Sequence, residues 1–250
     1  MFTIDVGTVY DLRLALLPIA TLCETADIKC TNQRLSIIVF PSRLPFVVAL
    51  RMLPEFFTSF QYHPDPDNYN TYRANIFLHL FITNVSKTYT DDINVTIYLN
   101  RRHPLAPIKF QDPRSGYFRY STLVLANPHN IDISSIDFSV FVAIPSAAFI
   151  NIIYDFDLPP TEYVCVAVTK TEAKFKSQKH EVTFTPENKD CIIGGVGEEA
   201  VYYFMITLAP TCLFYNIAYK TNFVWLFRTV STRSLLCSCV GLHASYLVCF

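Results

Sequence analysis

The sequence predicts an all-β fold, a β-sandwich, and three observations carry that prediction. Tyr and Phe number fifteen and twenty-one, and such side chains suit a pleated surface. Fifteen prolines against six glycines cut the apolar sequence into short runs. Those runs recur roughly every ten residues, the rhythm of short antiparallel strands rather than of strands alternating with helices. With 250 residues, 51% of them apolar, the chain has material for one large β domain or two small ones.

At the N-terminus, Val9, Leu12, Leu14, Leu16, Leu17 and Ile19 predict one short helix that ends around Pro18. Ile37 to Leu53 is nearly continuous apolar sequence broken by Pro41 and Pro45, which predicts two short strands. Tyr62–Tyr72, with Pro64, Pro66 and several Asp and Asn residues, is the best linker in the chain. It separates an N-terminal segment, residues 1–72, from residues 73–250, either as a boundary or as a long loop within one module. Beyond it, Ile76, Leu78, Leu80 and Ile82 alternate with Phe77, His79, Phe81 and Thr83 as a mostly buried strand. Ile93, Val95, Ile97 and Leu99 alternate with polar residues as a half-buried one. Further strands are expected over Tyr117–Leu125, Phe138–Ile144, Phe149–Tyr154, Tyr163–Val168, Glu181–Phe184 and Val201–Leu208. Turn sequences separate them at Asp112–Gly116, Asn127-Pro128, Leu158–Pro160 and Gly194–Gly197.

The formal net charge is -1 and no basic stripe is present, which argues against a nucleic-acid partner. Eight cysteines and two sequons, at Asn84 and Asn94, lean together towards an exported chain with disulfides and glycans. Met1–Asp5 lacks the basic and apolar regions of a signal peptide. The most apolar stretch, Val201–Phe227, is interrupted by Pro210, Asn216, Lys220 and Asn222 and is not a membrane span. The chain therefore reads as a piece of a longer membrane protein or as an incomplete gene product.

The constellations that carry chemistry are few. Gly194-Gly195-Val196-Gly197 lacks the lysine of a phosphate loop and reads as a hairpin turn. His63, His79, His103, His129 and His180 show no ligand spacing, and the acidic pairs Asp91-Asp92 and Glu198-Glu199 read as solvated loops, so neither metal nor cofactor is expected. Cys23 and Cys30 either close a small loop or are two unrelated buried thiols. Cys237-x-Cys239 on a strand puts both sulfurs on one face, where each needs a separate disulfide partner. A zinc site there would need another ligand pair, and only His243 and Cys249 follow.

Cys212-Leu213-Phe214-Tyr215, Trp225 thirteen residues after the cysteine, then Cys237-x-Cys239 and a short apolar end form a set of landmarks over residues 211–250. This set resembles the GPS motif that closes the GAIN domain of adhesion G-protein-coupled receptors and polycystin-family proteins. Phe149–Tyr154 followed by Leu158-Pro159-Pro160-Thr161-Glu162-Tyr163, and Val201–Ile206, are similar to segments on the polycystin side. The resemblance implies a GAIN-like β-sandwich over residues 73–250, a bridge from Cys212 to Cys237 or Cys239, a use of Cys249 for the remaining thiol, and a Cys165–Cys191 bridge. It implies a juxtamembrane extracellular module that couples force or ligand to the membrane-spanning channel part of the same protein, with a channel subunit as partner. The family's second cysteine after the Trp is missing, because Leu226–Val230 supplies none. Its self-cleavage needs a His base and a hydroxyl nucleophile. Direct register places Gly241-Leu242-His243 there, whereas a two-residue shift supplies His243 and Ser245. Beyond that pair no catalytic set stands out, so an enzyme is not expected. The other readings are the same module of an adhesion receptor, and a secreted β-sandwich binding protein or capsid-like jelly roll.

Overall fold

In the computed structural model, which describes residues 1–63, 70–87, 92–100, 102–129, 133, 136–229 and 234–250, antiparallel sheets are interleaved with helices. Most of the predicted linker, residues 64–69, and Asp91 of one acidic pair lie outside the described residues. The all-β expectation with a single short N-terminal helix is corrected: among the described residues four α-helices are spread along the sequence, and 19% of those residues are helical once two 3-10 turns are included. The class is α+β.

Two compact units form, Met1–Pro41 with Ala49–Ile131, and Ser42–Val48 with Asp132–Phe250. The first contains β1 (Phe2–Val6), α1 (Val9–Leu16), β2 (Thr25–Thr31) and β3 (Arg34–Val39), and β4 (Val47–Met52) spans the sequence boundary. β5 (Ser59–Tyr62), β6 (Thr71–Phe77), α2 (Leu78–Ser86), β7 (Asn94–Leu99), β8 (Leu105–Gln111) and β9 (Phe118–Ala126) complete it. The second opens with β10 (Ile136–Pro145), α3 (Ser146–Phe156), β11 (Val164–Val168), β12 (Ala173–Lys176), β13 (Glu181–Phe184) and β14 (Ile192–Gly194). It continues with β15 (Tyr202–Ile206), α4 (Thr211–Tyr219), β16 (Phe223–Thr229), β17 (Ser234–Val240) and β18 (Ala244–Cys249).

The two units repeat one plan. In the first, β5, β1, β7, β8 and β9 pair in that order, and β3, β2 and β6 pair beside them. In the second, β14, β10, β16, β17 and β18 pair in the same pattern, and β12, β11 and β15 repeat the other, with β13 added beyond β12. In each unit two helices pack together, α1 with α2 and α3 with α4.

Three helices replace expected strands or loops, for a local reason. In α3, Phe149, Ile152, Ile153 and Phe156 are buried, the i, i+3, i+4, i+7 stripe of an amphipathic helix. In α2 the stripe is Leu78, Phe81 and Val85, and in α4 it is Leu213, Phe214, Ile217 and Ala218. Leu80 and Tyr154, counted as strand positions, instead sit on the exposed sides of α2 and α3. The one predicted helix, α1, begins at Thr8, whose hydroxyl accepts from the Asp11 amide at 3.4 Å, a polar N-cap. No helix among the described residues is long and apolar enough to cross a membrane. The membrane-spanning part that the resemblance implies is thus not supplied by any of these helices.

The glycine-rich stretch is a place of close backbone approach. Gly195 has φ +74, and a β-carbon there would lie 1.4 Å from the Ser139 carbonyl oxygen. Phe141 stands directly opposite Gly194, and its ring occupies the space a side chain would need. β10 is bulged at this point, its register shifting between Asp137 and Phe141.

Candidate functional site

The most distinctive surface is built by the β8–β9 hairpin. Its turn is closed by Asp112, whose carboxylate accepts from the Arg114 amide at 2.8 Å and the Ser115 hydroxyl at 2.7 Å. The Ser115 hydroxyl first, then the Arg114 amide, hold that carboxyl below the usual range. Gly116 supplies the left-handed residue of the turn at φ +70. From there β9 runs antiparallel to β8, from Phe118 opposite Gln111 to Val124 opposite Leu105.

Strand alternation divides β9 into two faces. On the inner one Leu123 is buried, and Arg119 lays its guanidinium over the Phe110 ring at 4.2 Å while donating to the Asn84 carbonyl at 2.9 Å. On the outer one Phe118, Tyr120 and Val124 are 52%, 61% and 54% exposed, next to Tyr117 at 71%. Leu105 of β8 extends this apolar strip, and Lys109 places its ammonium 5.3 Å from the Phe118 ring. On the side away from β8, β9 pairs with β6 only at Leu125 and Ala126. Among the described residues no strand pairs with Phe118–Val124 on that side. Seven residues of that edge therefore lack a strand partner among the described residues and stand beside exposed aromatic rings, a combination that templates pairing with another chain.

Beyond this strand, the chain is fastened by a buried carboxylate. Asp27 of β2 accepts from Asn75 Nδ2 at 2.8 Å and from the His129 backbone N–H at 2.8 Å, and it contacts His129 Nδ1 at 3.0 Å. Asp27 and Asn75 are buried, whereas the His129 ring is largely exposed and packs on Phe40. This His129 cluster contains no nucleophile and acts as an anchor.

The sequence-predicted residues fall elsewhere. Disulfides are the clearest correction: all eight cysteines remain thiols. The register gives the reason. Cys30 stands opposite Leu35 and Tyr72, Cys165 opposite Lys176 and Met205, Cys237 opposite Trp225 and Leu247, Cys239 opposite Ser245, and Cys249 opposite Leu235. No cysteine faces another across a ladder, and bridging needs Cα atoms within about 7 Å and converging side chains. Cys212 lies exposed on α4, Cys23 precedes β2, and Cys191 is buried ahead of β14, its thiol pushed up to about 11 by burial. Cys30 is raised further still by its own desolvation. His243 lies in the β17–β18 turn and Ser245 on β18, both half-buried, with no hydrogen bond between them. Asn94 is exposed at the start of β7, while Asn84 is half-buried within α2. One site was missed entirely: the β9 edge without a strand partner, whose sequence signal is the aromatic residues Tyr117, Phe118 and Tyr120 followed by Val124.

No protein-family model matches the chain, and no curated protein matches it.

Proposed function

We propose that this chain is a non-catalytic assembly module that joins a second copy of itself by adding a strand to the open edge of β9. The observation that carries this reading is the seven-residue edge Phe118–Val124 flanked by Tyr117, Phe118, Tyr120 and Val124. Backbone hydrogen bonds would supply affinity and the exposed rings specificity, the division of labour in strand addition. The chain also carries a strand suited to the role of donor. β13 pairs with β12 alone, and its other edge has no strand among the described residues. Because β9 and β13 are different surfaces, their union is head-to-tail and propagates to a ring or a filament. A β9–β9 union would instead stop at a dimer.

Sedimentation velocity over a wide concentration range tests this, with wild type beside the double variant Phe118→Lys, Tyr120→Lys. Each ring is about half exposed, so its burial contributes roughly 1 kcal/mol, and charges on the edge remove both contributions. Association should weaken by about thirtyfold or more with circular dichroism unchanged. A wild type that stays monomeric throughout, or a double variant that associates as before, refutes the proposal.

A further inference from the structure

On β17, Ser238 turns its hydroxyl to the Ile217 carbonyl of α4, 3.2 Å away. Strand alternation then places Cys237 and Cys239 together on the opposite face. Trp225, Cys237 and Leu247 stand side by side across three strands on that face. The ring of Trp225 continues a row with Phe223, Phe227 and Phe141. Cys237 is buried in this surface, while Cys239 opens on a cleft of about 350 Å³ lined by Lys220, Phe223, Trp225 and Gly241. The two thiols touch: Cys237 donates a hydrogen bond to the Cys239 sulfur.

We propose that Cys237 and Cys239 form a two-thiolate site for one soft, low-coordinate cation of the cuprous type, bound at the floor of the Trp225 cleft. Three lines of chemistry select that class. Thiolate sulfur is a soft donor that favours Cu(I) over hard cations, which require oxygen. No group of three or more His, Cys, Asp or Glu among the described residues is placed to share a metal, so a tetrahedral zinc set is missing while a two-ligand site remains. A disulfide fits less well than a metal bridge. Cα atoms two residues apart on a strand are about 6.4–6.8 Å from each other, the far limit of disulfide geometry, whereas S–metal–S spans a longer gap without bending the strand. Binding is a ligand exchange without redox change: the cuprous ion leaves its carrier ligands, two S–Cu bonds form, and the thiol protons still present pass to solvent. The Lys220 ammonium, lining the same cleft, offsets the charge of the anionic dithiolate complex.

Trp225 is the chain's single tryptophan, so its fluorescence reports on this cleft alone. The reduced full-length protein is titrated anaerobically with Cu(I) held by the chromophoric competitor bicinchoninate. The expected result is one equivalent withheld from the competitor, with quenching of Trp225 complete at that equivalent. Cys237→Ser and Cys239→Ser each weaken retention at least tenfold, while the Cys212→Ser, Cys249→Ser double variant behaves as wild type. Alkylation mapping on the wild-type protein keeps the test independent of variant folding, because bound Cu(I) must protect Cys239, the exposed thiol of the pair, from iodoacetamide. Retention unaffected by the two serine variants, quenching that does not track the first equivalent, or absence of protection overturns the proposal. Equal competition by Zn(II) overturns it too.

Discussion

Replacing Asp27 by alanine should be among the most damaging single changes in the first unit. Its carboxylate receives Asn75 Nδ2, the His129 amide and His129 Nδ1 at 2.8, 2.8 and 3.0 Å. Hydrogen bonds to a charged group contribute about 1.5–3 kcal/mol each in net terms, but His129 lies near solvent and water replaces part of its share. Asn75 is buried, so its donor loses a partner in a place water reaches poorly, at about 1–3 kcal/mol. Together these give a loss of about 3 kcal/mol, or a fall in urea midpoint of about 1–3 M at unchanged slope. Hydrogen exchange adds a local readout, because the His129 amide should lose protection ahead of the β2–β6 ladder. His129→Ala, which keeps the backbone bond to Asp27, should cost less than about 1 kcal/mol. An Asp27→Ala midpoint within error of wild type would refute the view that this carboxylate fastens the end of β9.

Two further outcomes follow from the second unit. Gly195→Ala combines a left-handed φ with a collision against the Ser139 carbonyl, so it should destabilise by about 3 kcal/mol or more, measured by urea melts, whereas Gly197→Ala, with only Ala200 nearby at 3.8 Å, should cost about 1 kcal/mol or less. Alkylation of Cys239 by iodoacetamide, followed by peptide mass spectrometry, should rise as pH increases through about 6, because a lowered thiol pKa makes thiolate available above that value. At neutral pH about nine-tenths of it is then reactive, against about one-hundredth for an ordinary thiol. Cys237→Ser supplies a different donor and should shift the midpoint of that profile, and an unshifted profile centred near the ordinary thiol value contradicts the S–H···S contact.

Strands with clean alternation were legible in the sequence. β13 falls on Glu181–Phe184 as predicted, and β9 is displaced by one residue from Tyr117–Leu125. The helices hid for a physical reason. In Phe149–Tyr154 apolar residues occupy nearly every position, and Ile150, Ile152 and Ile153 favour strands by χ1 stiffness, so the 3.6-residue stripe was masked by local propensity. At α2, exposed Leu80 and half-exposed Ile82 completed a false two-residue period with Ile76 and Leu78. The even cysteine count misled because it records number and not placement, and the ladder register sets each cysteine opposite another residue type. Alternation found β9 itself, but whether a strand is interior or open on one side is a property of topology, which no local pattern encodes. The shared face of Cys237 and Cys239 was legible from their spacing, whereas the cleft depends on Trp225 and Lys220 arriving from β16 and the end of α4.

The repeated plan of the two units also sets the order of events as the chain leaves the ribosome. β1 finds its β7 partner only when Phe2 meets Leu99, and β10 meets β16 where Pro145 lies opposite Phe223. The first strand of each unit can pair on one edge with β5 or β14, but its other edge waits for β7 or β16 through most of that unit's synthesis, while hairpins such as β8–β9 and β17–β18 close at once. Such long-range closure slows folding and leaves one edge of β1 and of β10 unpaired in the interval. Truncation ahead of β7 or β16 would therefore leave β1 or β10 paired on one edge alone, an exposed strand edge of the kind that templates pairing with another chain.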